Sequence, residues 1–222
     1  MSSKEDIKLT VFKLLHEKGF EKTTYQAIAD MSGYEKTLVQ YHFPQKNLFI
    51  TQYLDFLISA VMEYISDKSM HFNENGLSFI VHSKIYTHLL LHEDLIHNIT
   101  IRVVQNREVL TYMQDFQEQS AINLLKVEPE FEKDLRYLLL FAQGGLFDLI
   151  YRMILGKRKC NVHNLLTLTL LTISPALKMT SEEVHRIMEK SLMYEDEVLH
   201  AVDQIIDSIK FQLGINIVSG EN

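Results

Sequence analysis

Hydrophobic positions recur at helical spacing along most of the chain. Ile7, Val11, Leu14 and Leu15 form one apolar stripe on a first helix that stops at Gly19, a residue suited to the left-handed C′ position. Two short helices follow, with Thr24 as the N-cap of the first and a tight turn at Ser32-Gly33-Tyr34 between them. On the second, Leu38, Val39, His42 and Phe43 fall on one side, and Lys36, Thr37, Gln40 and Tyr41 on the other. The first side can pack, and the second can touch something polar. Phe43 precedes Pro44, which disfavours helical geometry at Phe43 and suits the first turn of a new helix. A long helix is therefore predicted from Pro44 to about Ser66, with Leu48, Phe49, Tyr53, Phe56, Leu57, Val61, Tyr64 and Ile65 as its apolar pattern.

After a polar loop over Ser66–Gly76, the periodicity predicts helices at 77–91, 94–104 and 107–126, with Asn106 capping the third. Pro129 suits the first position of a helix running to Gly156, and another helix starts near Val162 and is ended or kinked by Pro175. Thr180 and Glu183 have the spacing of a capping box. A last helix carries Val198, Val202, Ile205, Ile206, Ile209 and Leu213 on one side. No strand-like alternation, repeat or low-complexity tract interrupts this pattern, so the fold class is all-α.

Three short helices of the size and spacing seen at the N-terminus make a helix-turn-helix domain, whose second paired helix enters the DNA major groove. The run LLHEKGFEKTTYQAIADMSGYEKTLVQYHFPQKNLF, Leu14 to Phe49, resembles the DNA-binding domain of the tetracycline-repressor (TetR) family of transcriptional regulators. The matching elements are EKGF at 17–20, the threonine pair at 23–24, Ile28-Ala29, Gly33, YHF at 41–43 and Lys46. The resemblance covers about the first quarter of the chain, while the rest matches the family only in length and helical character. It implies a DNA-binding domain over residues 1–47 and a helical effector-binding and dimerisation domain over 48–222. It also implies a DNA-facing set of Thr23, Thr24, Tyr25, Lys36, Thr37, Gln40, Tyr41, His42 and Lys46. The chain departs from the family pattern at Glu35, where Ser or Thr usually caps the helix, at Leu38, commonly Thr, and at Gln40, often Tyr. Gln40 can read adenine through N6 and N7.

Charge narrows how DNA would be held. The formal net charge is −7, yet residues 1–50 carry seven Lys against six Asp and Glu. No Arg precedes Arg102, so the bidentate guanidinium contact to guanine is absent from the N-terminal segment. Affinity must rest on Lys, hydroxyls, Gln, helix N-termini and the doubling a dimer provides. Cys160 is the single cysteine, which excludes an intrachain disulfide and suits a reducing cytoplasm. The chain opens with no signal-peptide pattern, and the apolar segments Leu138–Leu155 and Leu165–Leu177 are interrupted by Gln143, Asp148 and Arg152 or too short to span a bilayer, so a soluble protein is expected.

The remaining candidate chemistry is sparse. Aromatic and sulfur side chains are frequent after residue 50, and the resemblance implies an apolar effector pocket there, with Tyr86, Tyr112, Phe116, Phe147 and Tyr151 as candidate lining residues and core packing as the alternative. His88 and His92 have the spacing of two ligands on one helix face, but no third ligand accompanies them, so no metal or other cofactor is expected. Cys160, beside Lys157, Arg158 and Lys159, is either a redox-sensitive thiol or a passive one. Segments 135–153 and 165–173 are apolar nearly all round and should be buried on every side, in the core or against a second subunit. Gly144-Gly145 would weaken a helix by about 1 kcal/mol per glycine, which a close helix-helix approach would offset.

The sequence thus reads as a homodimeric, ligand-responsive transcriptional regulator, a repressor bound to a palindromic operator and modulated by a small, largely apolar effector. No nucleophile-base pair, metal motif or phosphate-binding loop points to an enzyme. The rival reading is a helical protein-interaction module that has lost DNA binding, favoured by Glu35, Leu38 and the missing arginines.

Overall fold

The computed structural model describes residues 2–67, 72, 74–92, 97–156 and 161–215, the side chains of residues 75, 97 and 98 excepted. Every element among them is helical. Helix α1 (Ser3–Lys22) opens on a Ser2–Glu5 capping box and buries Ile7, Val11, Phe12, Leu14 and Leu15. Its regular run breaks at Gly19, which takes the positive φ expected there (φ 73°, ψ 172°), and a further short turn then continues to Lys22. The Thr23 amide and hydroxyl then both donate to the Gly19 carbonyl, at 3.2 and 2.9 Å.

Helix α2 (Tyr25–Ser32) is capped by Thr24, whose hydroxyl oxygen accepts from the Ala27 amide at 3.1 Å. Gly33 ends it at φ 75° and ψ 6°, a left-handed geometry that a side chain would strain. Helix α3 (Lys36–His42) starts at Glu35, which makes no capping bond. The next helix, α4, spans Asn47–Asp67 and not Pro44 onward. Phe43 is extended there, at φ −129° and ψ 75°, and the carbonyls of Gln45 and Lys46 accept from Leu48 and Phe49 in tight i→i+3 turns before α4 settles into its ladder.

The rest of the chain packs around α5 (Asn75–Leu91), which touches α7 (Arg107–Leu125), α9 (Val162–Ile173), α10 (Ser181–Ser191) and α11 (Glu195–Gln212). At Gly76 a Cβ would stand 2.8 Å from Ile187 Cδ1, so α5 and α10 meet closely here and a larger residue would make the end of the Ile187 side chain shift. Helix α6 (His97–Gln105) bridges to α1 and to α8 (Pro129–Ile154), and α4 packs on α1, α7 and α11. Caps at Asn106 and at Thr180 with Glu183 fall where the sequence puts them, and α9 stops at Ile173, just before Pro175.

Among the described residues, one Lys, Arg, Asp or Glu side chain lies in this interior. Lys84 on α5 is fully buried; its Nζ donates to the Ser191 carbonyl at 3.2 Å and to Glu195 Oε2 at 2.5 Å. His88, a turn further on, places Nε2 3.5 Å from Glu195 Oε1. This clamp fixes α5 against the start of α11.

Within one chain, helix α8 is covered on one side only. Its stripe Leu135, Leu139, Gln143, Phe147 and Ile150 is buried, but Tyr137, Leu140 and Phe141 are exposed, with Phe141 at 77%. Ideal Cβ atoms on Gly144 and Gly145 would meet nothing within 4 Å, so among the described residues the close helix-helix approach expected at this step is absent, although Gly145 borders a groove shared with α9. Both α4 and α8 are long and apolar enough to cross a bilayer, with mean hydropathies of 1.3 and 1.2. In α4 most apolar residues face the core, Met62 excepted, whereas the outer side of α8 has no cover among the described residues.

Candidate nucleic-acid interface and interior cavity

The α2–α3 pair is held by bonds that its own sequence supplies. The Tyr34 hydroxyl, in the turn, donates to Asp6 Oδ2 at 2.9 Å and ties the turn to α1. Tyr25, at the start of α2, donates its hydroxyl to the Phe43 carbonyl at 2.9 Å, and its ring meets Phe49 edge-on at 5.4 Å. Burial raises the Tyr25 phenol above its ordinary range, so it stays a donor. Val39 and Phe43 are buried beneath α3, and Leu38 and His42 are half-buried at its flank. Lys36, Thr37, Gln40 and Tyr41 are exposed together on its outer face, Tyr41 at 78%. This is the two-sided division that helical spacing predicts.

The other candidate contacts divide. Thr24 is exposed, its oxygen on a helix amide and its proton free to donate outward. Thr23 is 0% exposed with amide and hydroxyl both engaged by Gly19, so its side chain belongs to the core and not to the outer face. Tyr25 works chiefly as a strut. His42 sits edge-on to Tyr41 at 5.2 Å, its Nε2 buried without a hydrogen-bond partner among the described residues. Lys46 is turned toward the end of α1: its Nζ lies 4.2 Å from the Phe20 ring centre and donates to the Glu21 carbonyl at 3.4 Å. Burial lowers its pKa, as expected for an ammonium against an aromatic face.

Arg102 of α6 reaches the same corner. Its guanidinium pairs with the Glu21 carboxylate and stands 5.8 Å from the Phe20 ring centre. Sequence reasoning missed this junction, because Glu21 and Arg102 are 81 positions apart and each reads as a solvated charge. Helix α6 is anchored at its other side by Thr100, whose hydroxyl donates to the Leu90 carbonyl of α5 at 3.0 Å, and by Gln105, which donates to the Tyr151 hydroxyl of α8 at 3.2 Å. A second junction lies along α4, where Asn47 donates to Glu108 at 3.3 Å and Tyr112 donates to Asp55.

Between α5, α7, α8 and α9 lies a largely apolar cavity of about 70 Å³. Of the five aromatic candidates, Tyr86 and Phe116 line it, their rings at 64° with centres 6.3 Å apart. Phe147 is buried in the core behind the wall, Tyr112 is outside on Asp55, and Tyr151 is at the α6 contact. Phe79, one of the aromatic side chains of the second half, also lines it, as do His82 and Gln143, which the sequence reading did not pick out. Gln143 left a signal: it is the one polar member of the buried α8 stripe, and helical spacing puts it among Leu139 and Phe147.

His88, turned toward Glu195, does not join His92 in a ligand pair, and no group of three or more His, Cys, Asp or Glu side chains suited to a metal exists among the described residues. Cys160 and its basic neighbours lie outside those residues. No protein-family model matches the chain, and no curated protein matches it.

Proposed function

We propose that the chain is a homodimeric, effector-responsive DNA-binding transcriptional regulator of the tetracycline-repressor type, acting as a repressor in the cytoplasm. The observation that carries the reading is α3: seven residues with a buried inner side and Lys36, Thr37, Gln40 and Tyr41 exposed together outside, set behind a glycine turn on a small helical scaffold. A short helix offered in this way fits the major groove. Residues 1–47 serve as the helix-turn-helix domain, and residues 48–222 as the effector-binding and dimerisation domain. Thr24, Lys36, Thr37, Gln40 and Tyr41 form the DNA face, with Lys46 at its edge.

The uncovered side of α8 supplies the dimer. Tyr137, Leu140 and Phe141, the open Gly144-Gly145 step and Leu168 of α9 make one apolar surface, and a second copy placing its own glycines there brings two α8 helices close together. Effector binding changes how α5, α7, α8 and α9 sit around the cavity, and α4 and α6 transmit that change. Helix α6 does so through Arg102 on Glu21 at the base of the DNA-binding domain.

A direct test is fluorescence anisotropy on a pool of random DNA duplexes over a range of salt. Binding that weakens steeply with salt supports the reading, since phosphate contacts release counterions. No binding at low salt would favour the rival, a helical interaction module without DNA affinity.

A further inference from the structure

Two polar atoms in the cavity wall have no hydrogen-bond partner among the described residues: the Tyr86 hydroxyl and Gln143 Oε1. Each loses water when buried and gains nothing in return, an arrangement native interiors rarely keep without a reason. Gln143 is only 3% exposed and stands where every other member of its stripe is apolar. A leucine would fill that position at no such cost. The nearby hydroxyls of Thr87 and Thr169 cannot donate to Gln143 Oε1, because their protons go to their own helix at the Ser83 and Leu165 carbonyls, at 2.7 and 3.0 Å.

The rest of the wall limits what can enter. Among the described residues no Asp, Glu, Lys or Arg lines the cavity, and His82 is the single imidazole. The buried Lys84 and Glu195 belong to the clamp with α11 and are not part of the wall. A charged ligand would therefore lose its hydration and find no counter-ion. Burial holds the Tyr86 phenol far above its ordinary range, which leaves it a donor at neutral pH. At about 70 Å³ and partly open, the cavity suits a small apolar molecule or the end of a longer one.

We propose that this cavity binds an uncharged apolar molecule bearing a hydroxyl or primary amide, to which Tyr86 donates a hydrogen bond and from which Gln143 Oε1 accepts one. The assignment rests on the effector-responsive reading for its regulatory meaning, while its chemistry follows from the cavity alone. Four probes sharing one carbon skeleton test it: benzyl alcohol, toluene, benzoate and benzylammonium. Their affinities for the free full-length protein are measured by calorimetry, without DNA, so failure of the DNA reading leaves the result intact.

Benzyl alcohol should bind, and benzoate and benzylammonium should bind at least tenfold more weakly. In the double variant Tyr86→Phe/Gln143→Met the ratio of benzyl alcohol to toluene affinity should fall about tenfold or more, the equivalent of losing two ordinary hydrogen bonds. The ratio cancels any general loosening of the cavity. The variant should melt no lower than the parent, because it removes two unanswered polar groups. An unchanged ratio, equal binding of either ion, or no binding of any probe would overturn the proposal.

Discussion

Replacing Glu195 by Gln should destabilise the protein more than deleting the charge of Lys84 itself. Lys84 is the one fully buried ammonium among the described residues, with Glu195 Oε2 at 2.5 Å and the Ser191 carbonyl at 3.2 Å as its acceptors. Removing one partner of a buried pair typically costs about 3–5 kcal/mol, because the other charge stays buried and unanswered. The Glu195 side chain is 37% exposed, so water reaches this pair and Gln still accepts one hydrogen bond; the expectation is reduced to about 2 kcal/mol. Lys84→Met removes the buried charge and keeps a stem of similar size, and should cost less than about 1 kcal/mol. In the double variant the two losses should fail to add. Urea unfolding at fixed protein concentration and pH 7.5 measures this, with the slope unchanged across the series so that midpoints report stability. If Lys84→Met proves as costly as Glu195→Gln, the ammonium is a net stabilising group and the reasoning fails.

Three further outcomes follow from other parts of the molecule. Phe141→Glu should leave the fold intact, since Phe141 is 77% exposed within one chain, yet sedimentation at micromolar concentration should change from a dimer to a 25.9 kDa monomer; a persistent dimer would move the interface elsewhere. Arg102→Ala should lower stability by under about 1 kcal/mol, as for an exposed pair, and change DNA affinity with the salt slope unaltered. A slope reduced by about one unit would mean that Arg102 touches phosphate. Burial lowers the pKa of His88 although Glu195 opposes it, and burial also lowers that of His163. The native state therefore binds fewer protons than the unfolded chain below about pH 6.5, so stability should be complete above that pH and fall as pH drops through the depressed values. Burial works to raise the Glu195 carboxyl, but Lys84 and His88 hold it below the usual range, adding a second loss below about pH 4.5. His88→Asn should flatten the upper part of this profile, and an unchanged profile would remove His88 from the account.

The legible parts of the fold were those decided within one or two turns of chain. Thr24, Asn106 and the Thr180–Glu183 pair bond amides two or three residues away, and Gly33 takes a backbone angle open to few other residues. The start of α4 was misplaced because Phe43 is turned to place its carbonyl on Tyr25, 18 positions earlier, a bond no local rule anticipates. Of two adjacent threonines, one caps a helix and one is buried on Gly19, and composition does not separate them. The face of α3 was readable because the helix is amphipathic. The cavity was less so: Tyr86 and Phe147 look alike in a sequence, and only packing puts the first on the wall and the second behind it. Gln143 was the usable clue, since it interrupts an otherwise apolar helix stripe, whereas nothing local announces the Lys84 clamp, which meets Glu195 across 111 positions.

The central claim is that the exposed face of α3 reads DNA. Repeated selection of bound fragments from random duplex DNA, with the parent, Gln40→Ala and Lys36→Ala carried in parallel, tests it most directly. The parent should enrich a palindromic site with half-sites about one helical turn apart, as for a symmetric dimer. Gln40→Ala should relax the preference at one base position per half-site, at a cost of about 1–3 kcal/mol there, while Lys36→Ala should weaken all sequences alike. No enrichment by the parent, or equal and sequence-independent losses for both variants, would contradict the account.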